Sequence, residues 1–140
     1  MILCKLQMQR VAYEPVLSRC ILFTTVLIHP IHIYAAYITE HSRFCCMGVA
    51  LLLTSVNYWR NPDMQSMRRI TDMAVAKTSI LTHIAYAAPA SRAQTTMIVG
   101  VLCYCVSLVA YQKKLYCVAA TLHILLHIVT SIGATMMYLS

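Results

Sequence analysis

Residues 115–139 read LYCVAATLHILLHIVTSIGATMMYL, an unbroken run without one Asp, Glu, Lys or Arg. A helix of roughly 20 apolar residues crosses a hydrocarbon core of about 30 Å, and this run is long enough. Its apolar residues cover every face instead of alternating, which selects a helix over a barrel strand, because in lipid each backbone polar group must be paired within the segment or its sheet. The run predicts a transmembrane helix.

Four more apolar blocks precede it, from about Val16 to Ile38, Phe44 to Tyr58, Ile70 to Ala88 and Thr95 to Tyr111. Short polar segments separate them: Thr39 to Arg43, Trp59 to Arg69 with Asn61-Pro62-Asp63, Pro89 to Arg92, and Gln112-Lys113-Lys114. Proline lacks the backbone donor and disfavours α conformation in the residue before it, so Asn61-Pro62 and Pro89 mark turns. The second block is shorter than a comfortable span. The expectation is an all-α, polytopic bundle of about five helices, a single domain over residues 1–140, with the first apolar run retained as a helix rather than cleaved as a signal peptide.

Composition agrees. Of 140 residues, 60% are hydrophobic and 11% charged, whereas a soluble domain carries about a quarter charged residues; mean hydropathy is +0.69. If five helices alternate, Lys5, Arg10, Arg19, Arg60, Arg68, Arg69, Lys113 and Lys114 fall on one side. Only Arg43 and Arg92 fall on the other, with Lys77 inside a helix. The positive-inside rule then puts the N-terminus on the cytoplasmic or equivalent side and Ser140 opposite. The net charge of +7 is thereby explained by topology and calls for no nucleic acid. The expected partners are membrane lipids, with an oligomer or membrane complex also open.

Of seven cysteines, neither Cys45-Cys46 nor Cys103-x-Cys105 has zinc-site spacing, and six lie in or at the edge of apolar blocks and read as small hydrophobes. His29-Pro30-Ile31-His32 reads as a kink whose imidazoles satisfy carbonyls freed by proline. Tyr34, Tyr37, Tyr58, Trp59, Tyr111, Tyr116 and Tyr138 lie near block ends and read as interfacial anchors.

The chemistry-bearing candidates are ionisable residues within spans: Asp72, Lys77, His83, His123 and His127. Such residues usually face the bundle interior. His123 and His127 are four apart and share a helix face, so both imidazoles can meet one ion. On spacing alone the pair is open to metal ligation, to interhelical hydrogen bonding and to heme ligation, the last with His83 and His127 as axial ligands at similar depth.

The run His123-Ile-Leu-Leu-His127-Ile-Val-Thr130-Ser131-Ile-Gly133-Ala134 resembles the last-helix signature of the alkaline ceramidase family and its superfamily of progestin and adipoQ receptors and Per1-like proteins. That superfamily places a serine near the end of one helix and an aspartate at the start of the next, and Ser55 and Asp72 match those places. The resemblance implies a bundle around an intramembrane zinc ion whose bound water attacks a lipid amide or ester carbonyl. Ser55 would stabilise the oxyanion and Asp72 would orient or deprotonate the water. Read from the residues alone, Ser55 bonds back to a helix carbonyl, and Asp72 caps a helix or pairs with Arg68 or Arg69. Four residues after Ser55, where the family has its first histidine ligand, stands Trp59. His83 is then the remaining candidate for the third zinc ligand, beside His123 and His127. Three functions are open: a zinc-dependent lipid amide hydrolase, a non-catalytic scaffold or assembly subunit, and a heme-binding subunit.

Overall fold

The computed structural model describes residues 14–140 and contains five α-helices: α1 (Pro15–Ile38), α2 (Ser42–Trp59), α3 (Met67–Tyr86), α4 (Arg92–Gln112) and α5 (Tyr116–Tyr138). Among the described residues there is no strand. Lys5 and Arg10, which weigh in the charge asymmetry, and Cys4 lie outside the described residues.

Two helix starts fall three residues earlier than the apolar runs suggest, and for one reason. Ser66 caps α3 by accepting a hydrogen bond from the Arg69 amide, and Ser91 caps α4 by accepting one from the Gln94 amide. A serine cap lets the next turn form whatever its side chains are. Arg68, Arg69 and Arg92 are therefore helical. α3 ends at Tyr86 because Ala87 turns extended, two residues before Pro89.

The helices form a ring in the order α3, α2, α1, α5, α4. The α4–α5 contact is the most extensive and the α3–α4 contact the slightest. Two apolar clusters show the alternation of chain direction. Ile21, Tyr58, Trp59, Ala110, Ala119 and Ala120 gather at one end, and Ala35, Ala36, Phe44, Ala134 and Tyr138 at the other. Arg19, Arg60, Arg68, Arg69, Lys113 and Lys114 thus share the first end, and Arg43 and Arg92 the second.

α1, α4 and α5 are long and apolar enough to cross a membrane. α2 is diluted by Arg43 and Asn57 near its ends, and α3 carries Arg68, Arg69, Asp72 and Lys77. Large apolar side chains face outward, among them Phe23 at 66% and Leu102 at 57% exposure, as expected where lipid is the solvent.

The expected anchors divide. Tyr34 and Tyr37 face outward, but Tyr58, Trp59 and Tyr138 are buried in the two clusters. Proximity to a block end sets a residue's depth, not its direction. The expected role of the α1 imidazoles divides: His29 bonds the Thr25 backbone, whereas His32 shares its hydrogen bond with Ser131 of α5.

The α4–α5 seam depends on Gly133. A Cβ there would sit 3.0 Å from the Ala93 carbonyl oxygen and 3.1 Å from the Met97 amide nitrogen, backbone atoms that cannot swing aside. Gly133→Val is expected to lower stability by about 1–3 kcal/mol through overpacking, and thermal unfolding in detergent checks it.

Candidate functional site

Ser55 lies one turn from the end of α2, and Asp72 lies one turn inside α3, so the connecting turn brings them to one depth. Ser55 Oγ donates to Asp72 Oδ1 at 2.5 Å, and Thr54 Oγ1 donates to the same oxygen at 3.3 Å. Both partners are buried, Ser55 at 1% and Asp72 at 7% exposure. A buried polar group is tolerated when hydrogen-bonded. Asp72 neither caps α3, a role Ser66 fills, nor pairs with arginine. Arg68 donates to the Asn61 carbonyl at 3.0 Å and Arg69 to the Met64 carbonyl at 3.0 Å, so both clamp the α2–α3 turn.

Four imidazoles run in file beyond this pair. Ring centroids are 5.0 Å apart from His123 to His127, 5.1 Å from His127 to His29 and 5.2 Å from His29 to His32. His32 Nδ1 and Ser131 Oγ share a 3.0 Å hydrogen bond that fastens α1 to α5. His127 Nε2 is buried without a hydrogen-bond partner, and the His29 ring lies against the Thr25 backbone. The Trp59 ring stands edge-on to His123 at 5.1 Å. These histidines line one internal cavity of about 440 Å³ together with Ser55 and Asp72. Lys77 and Leu81 of α3 and Cys105 and Leu108 of α4 are exposed and also line it, so it opens sideways at the loosest seam of the ring.

His83 also lines this cavity, at the end nearer Phe44 and Tyr138. Its Nδ1 is 2.7 Å from the Ser79 carbonyl oxygen and its Nε2 bonds the Tyr138 hydroxyl, while Phe44 packs on the ring at 4.7 Å. Both nitrogens are engaged, which leaves neither for zinc beside His123 and His127 nor for heme iron opposite His127. The ligand set does not fit zinc as it stands. Trp59 is a donor only, His83 is committed to Tyr138, and among the described residues no three His, Cys, Asp or Glu side chains are grouped to hold a metal ion.

Ser55, Asp72, His83, His123 and His127, read from the sequence, thus all line one cavity, but the His83 ring is held by Tyr138 and Phe44 of the far cluster. Thr54 is not singled out by the sequence, and His29 and His32 read there only as imidazoles at a proline kink. A signal for His29 exists: Ser18, Ile21, Thr25, His29, His32 and Ala36 repeat at helical spacing and are all buried, an inward stripe of mixed polarity. The fold and cavity define a membrane-embedded helical bundle with a histidine-lined interior. No family model, curated protein or solved structure matches the chain.

Proposed function

We propose that the chain is a non-catalytic relative of the ceramidase-like hydrolases, a multi-pass membrane subunit that holds an amide- or ester-linked lipid without cleaving it. One observation carries this reading: the Trp59 indole lies against His123, at the position where the resemblance requires a ligand. The cavity suits a lipid. Its volume is within the range of about 300–1,000 Å³ usual for ligand sites, its wall is largely Leu51, Met73, Ile80, Met97, Val101 and Leu126, and it opens sideways between α3 and α4. Ser55 and Asp72 supply a polar pole for the linkage. The end bearing Arg19, Arg60, Arg68, Arg69, Lys113 and Lys114 faces the cytoplasm or its equivalent by the positive-inside rule.

Zinc-dependent lipid amide hydrolysis is the second reading, favoured by the Ser55–Asp72 contact beside the His123–His127 pair. Elemental analysis, lipid mass spectrometry and a fatty-acid release assay on the purified chain separate the two. The expected result is co-purifying lipid, no stoichiometric zinc and no release. Filling the cavity with Val101→Trp should lower the lipid recovered. Stoichiometric zinc with fatty-acid release would replace this reading with the hydrolase, and bound iron with a Soret band would replace both.

A further inference from the structure

α3 has an outward face that no other helix among the described residues covers. Thr71, Ala74, Lys77, Thr78, Leu81 and Ala85 are exposed along one stripe. α3 packs broadly on α2 and only slightly on α4. It is also not among the helices apolar enough to cross a membrane on their own composition. Small and hydroxylated residues on such a stripe let a second backbone approach closely, which is how membrane helices associate where lipid removes the hydrophobic drive between them.

Lys77 sits in the middle of this face. It lies ten residues after Met67 and nine before Tyr86, so either helix end is roughly 13–15 Å away at about 1.5 Å per residue. Among the described residues it makes no hydrogen bond or ion pair. Its stem is four carbons long, too short to carry the ammonium to the headgroups at either end. An unpaired ammonium at that depth is strongly disfavoured, and such residues pair with an opposite charge.

The chain cannot supply that charge. Its four acidic residues are Glu14, Glu40, Asp63 and Asp72. Glu14 precedes α1, Glu40 and Asp63 lie in the turns at the two ends of the bundle, and Asp72 is buried under Ser55 and Thr54. A second copy would therefore bring no exposed carboxylate to the depth of Lys77.

We propose that the exposed face of α3 docks a transmembrane helix of a different protein, one that carries an aspartate or glutamate at mid-bilayer depth. The carboxylate pairs with Lys77, and the partner backbone lies over Ala74 and Thr78. In that position the helix also covers the sideways opening of the cavity, which Lys77 and Leu81 edge. The proposal goes beyond the lipid-holding reading and does not rest on it.

The test uses the full chain in phospholipid vesicles and synthetic Leu/Ala helices of about 20 residues with a central Asp, Leu or Lys, their association read by energy transfer. The Asp helix should bind about tenfold or more tightly than the Leu helix, the gain expected of one polar contact in lipid. Lys77→Leu should erase that difference, and Lys77→Asp should transfer the preference to the Lys helix. Ala74→Leu, which leaves the charge in place, should weaken binding of the Asp helix by bulk alone and keeps the test decisive if the Lys77 variants do not fold. Equal binding of the Asp and Leu helices would overturn the proposal. So would a preference that survives Lys77→Leu, or self-association of the chain that Lys77→Leu abolishes.

Discussion

If the chain holds lipid without zinc, as proposed, Trp59→His is expected to give it a zinc site. The indole is 5% exposed and stands edge-on to His123 at 5.1 Å, and the His123 and His127 rings are 5.0 Å apart. An imidazole grown from the same backbone position puts a third nitrogen beside those two, and three histidines plus a water complete an open tetrahedral zinc site. Second-shell partners of a metal are worth about 10- to 100-fold in affinity, so a third ligand should raise affinity by at least that much. The substitution also empties space between Tyr58, Ile21 and Ala119 in the apolar cluster, at a cost below the roughly 3–5 kcal/mol of a full Trp→Ala truncation. The variant should accordingly melt below wild type without metal and recover when zinc is added, by about 2.7 kcal/mol at a hundredfold excess over Kd. Wild type should show no such recovery. Zinc that leaves the variant's melting temperature unchanged would mean that position 59 does not correspond to the ligand position of the resemblance.

Depth was legible in the sequence for Ser55 and Asp72 but not for His83, and direction was legible for none of the buried aromatic residues. At about 1.5 Å per residue, counting places Ser55 beside Asp72 and His83 level with His127. The first pair meets because the α2–α3 turn, clamped by Arg68 and Arg69, leaves the two helices adjacent. His83 misses His127 because α3 begins three residues before its apolar run, which carries His83 to the level of Tyr138, eleven residues beyond His127 along α5, and because its side of α3 faces Phe44 and Tyr138, a rotation that only packing determines. The same limit explains Tyr58, Trp59 and Tyr138, which have the depth of interfacial anchors but turn inward. Pro30 accounts for a backbone partner of His29 but not for its place in the imidazole file. The regular spacing of Ser18, Thr25, His29 and His32 carried the signal that α1 turns a polar stripe to the interior. The helix starts of α3 and α4 were missed because charged residues were read as loop, whereas the Ser66 and Ser91 caps place them in the first turn.

Ser55 and Asp72 should prove coupled in stability, and the coupling should be confined to the α2–α3 pair. Removing the Ser55 hydroxyl leaves the Asp72 carboxylate with only the 3.3 Å bond from Thr54. Removing the carboxylate leaves a hydroxyl at 1% exposure without its acceptor. A hydrogen bond contributes about 0.5–1.5 kcal/mol net, and a buried polar group left without its partner costs about 1–3 kcal/mol. Each single alanine variant should therefore lose stability in that range. The double variant Ser55→Ala/Asp72→Ala should lose clearly less than the sum, because both singles leave the same bond half-made. Asp72→Asn keeps an acceptor for both hydroxyls and should lie between wild type and Asp72→Ala. α3 rests broadly on α2 alone, while α4 and α5 share the largest contact in the bundle, so amide exchange in the single variants should rise first along α3 and leave the α4–α5 seam protected. Strict additivity of the two substitutions in detergent unfolding would show that the 2.5 Å contact does not hold α3 in place, and the polar pole proposed for the lipid linkage would lose its fixed geometry with it.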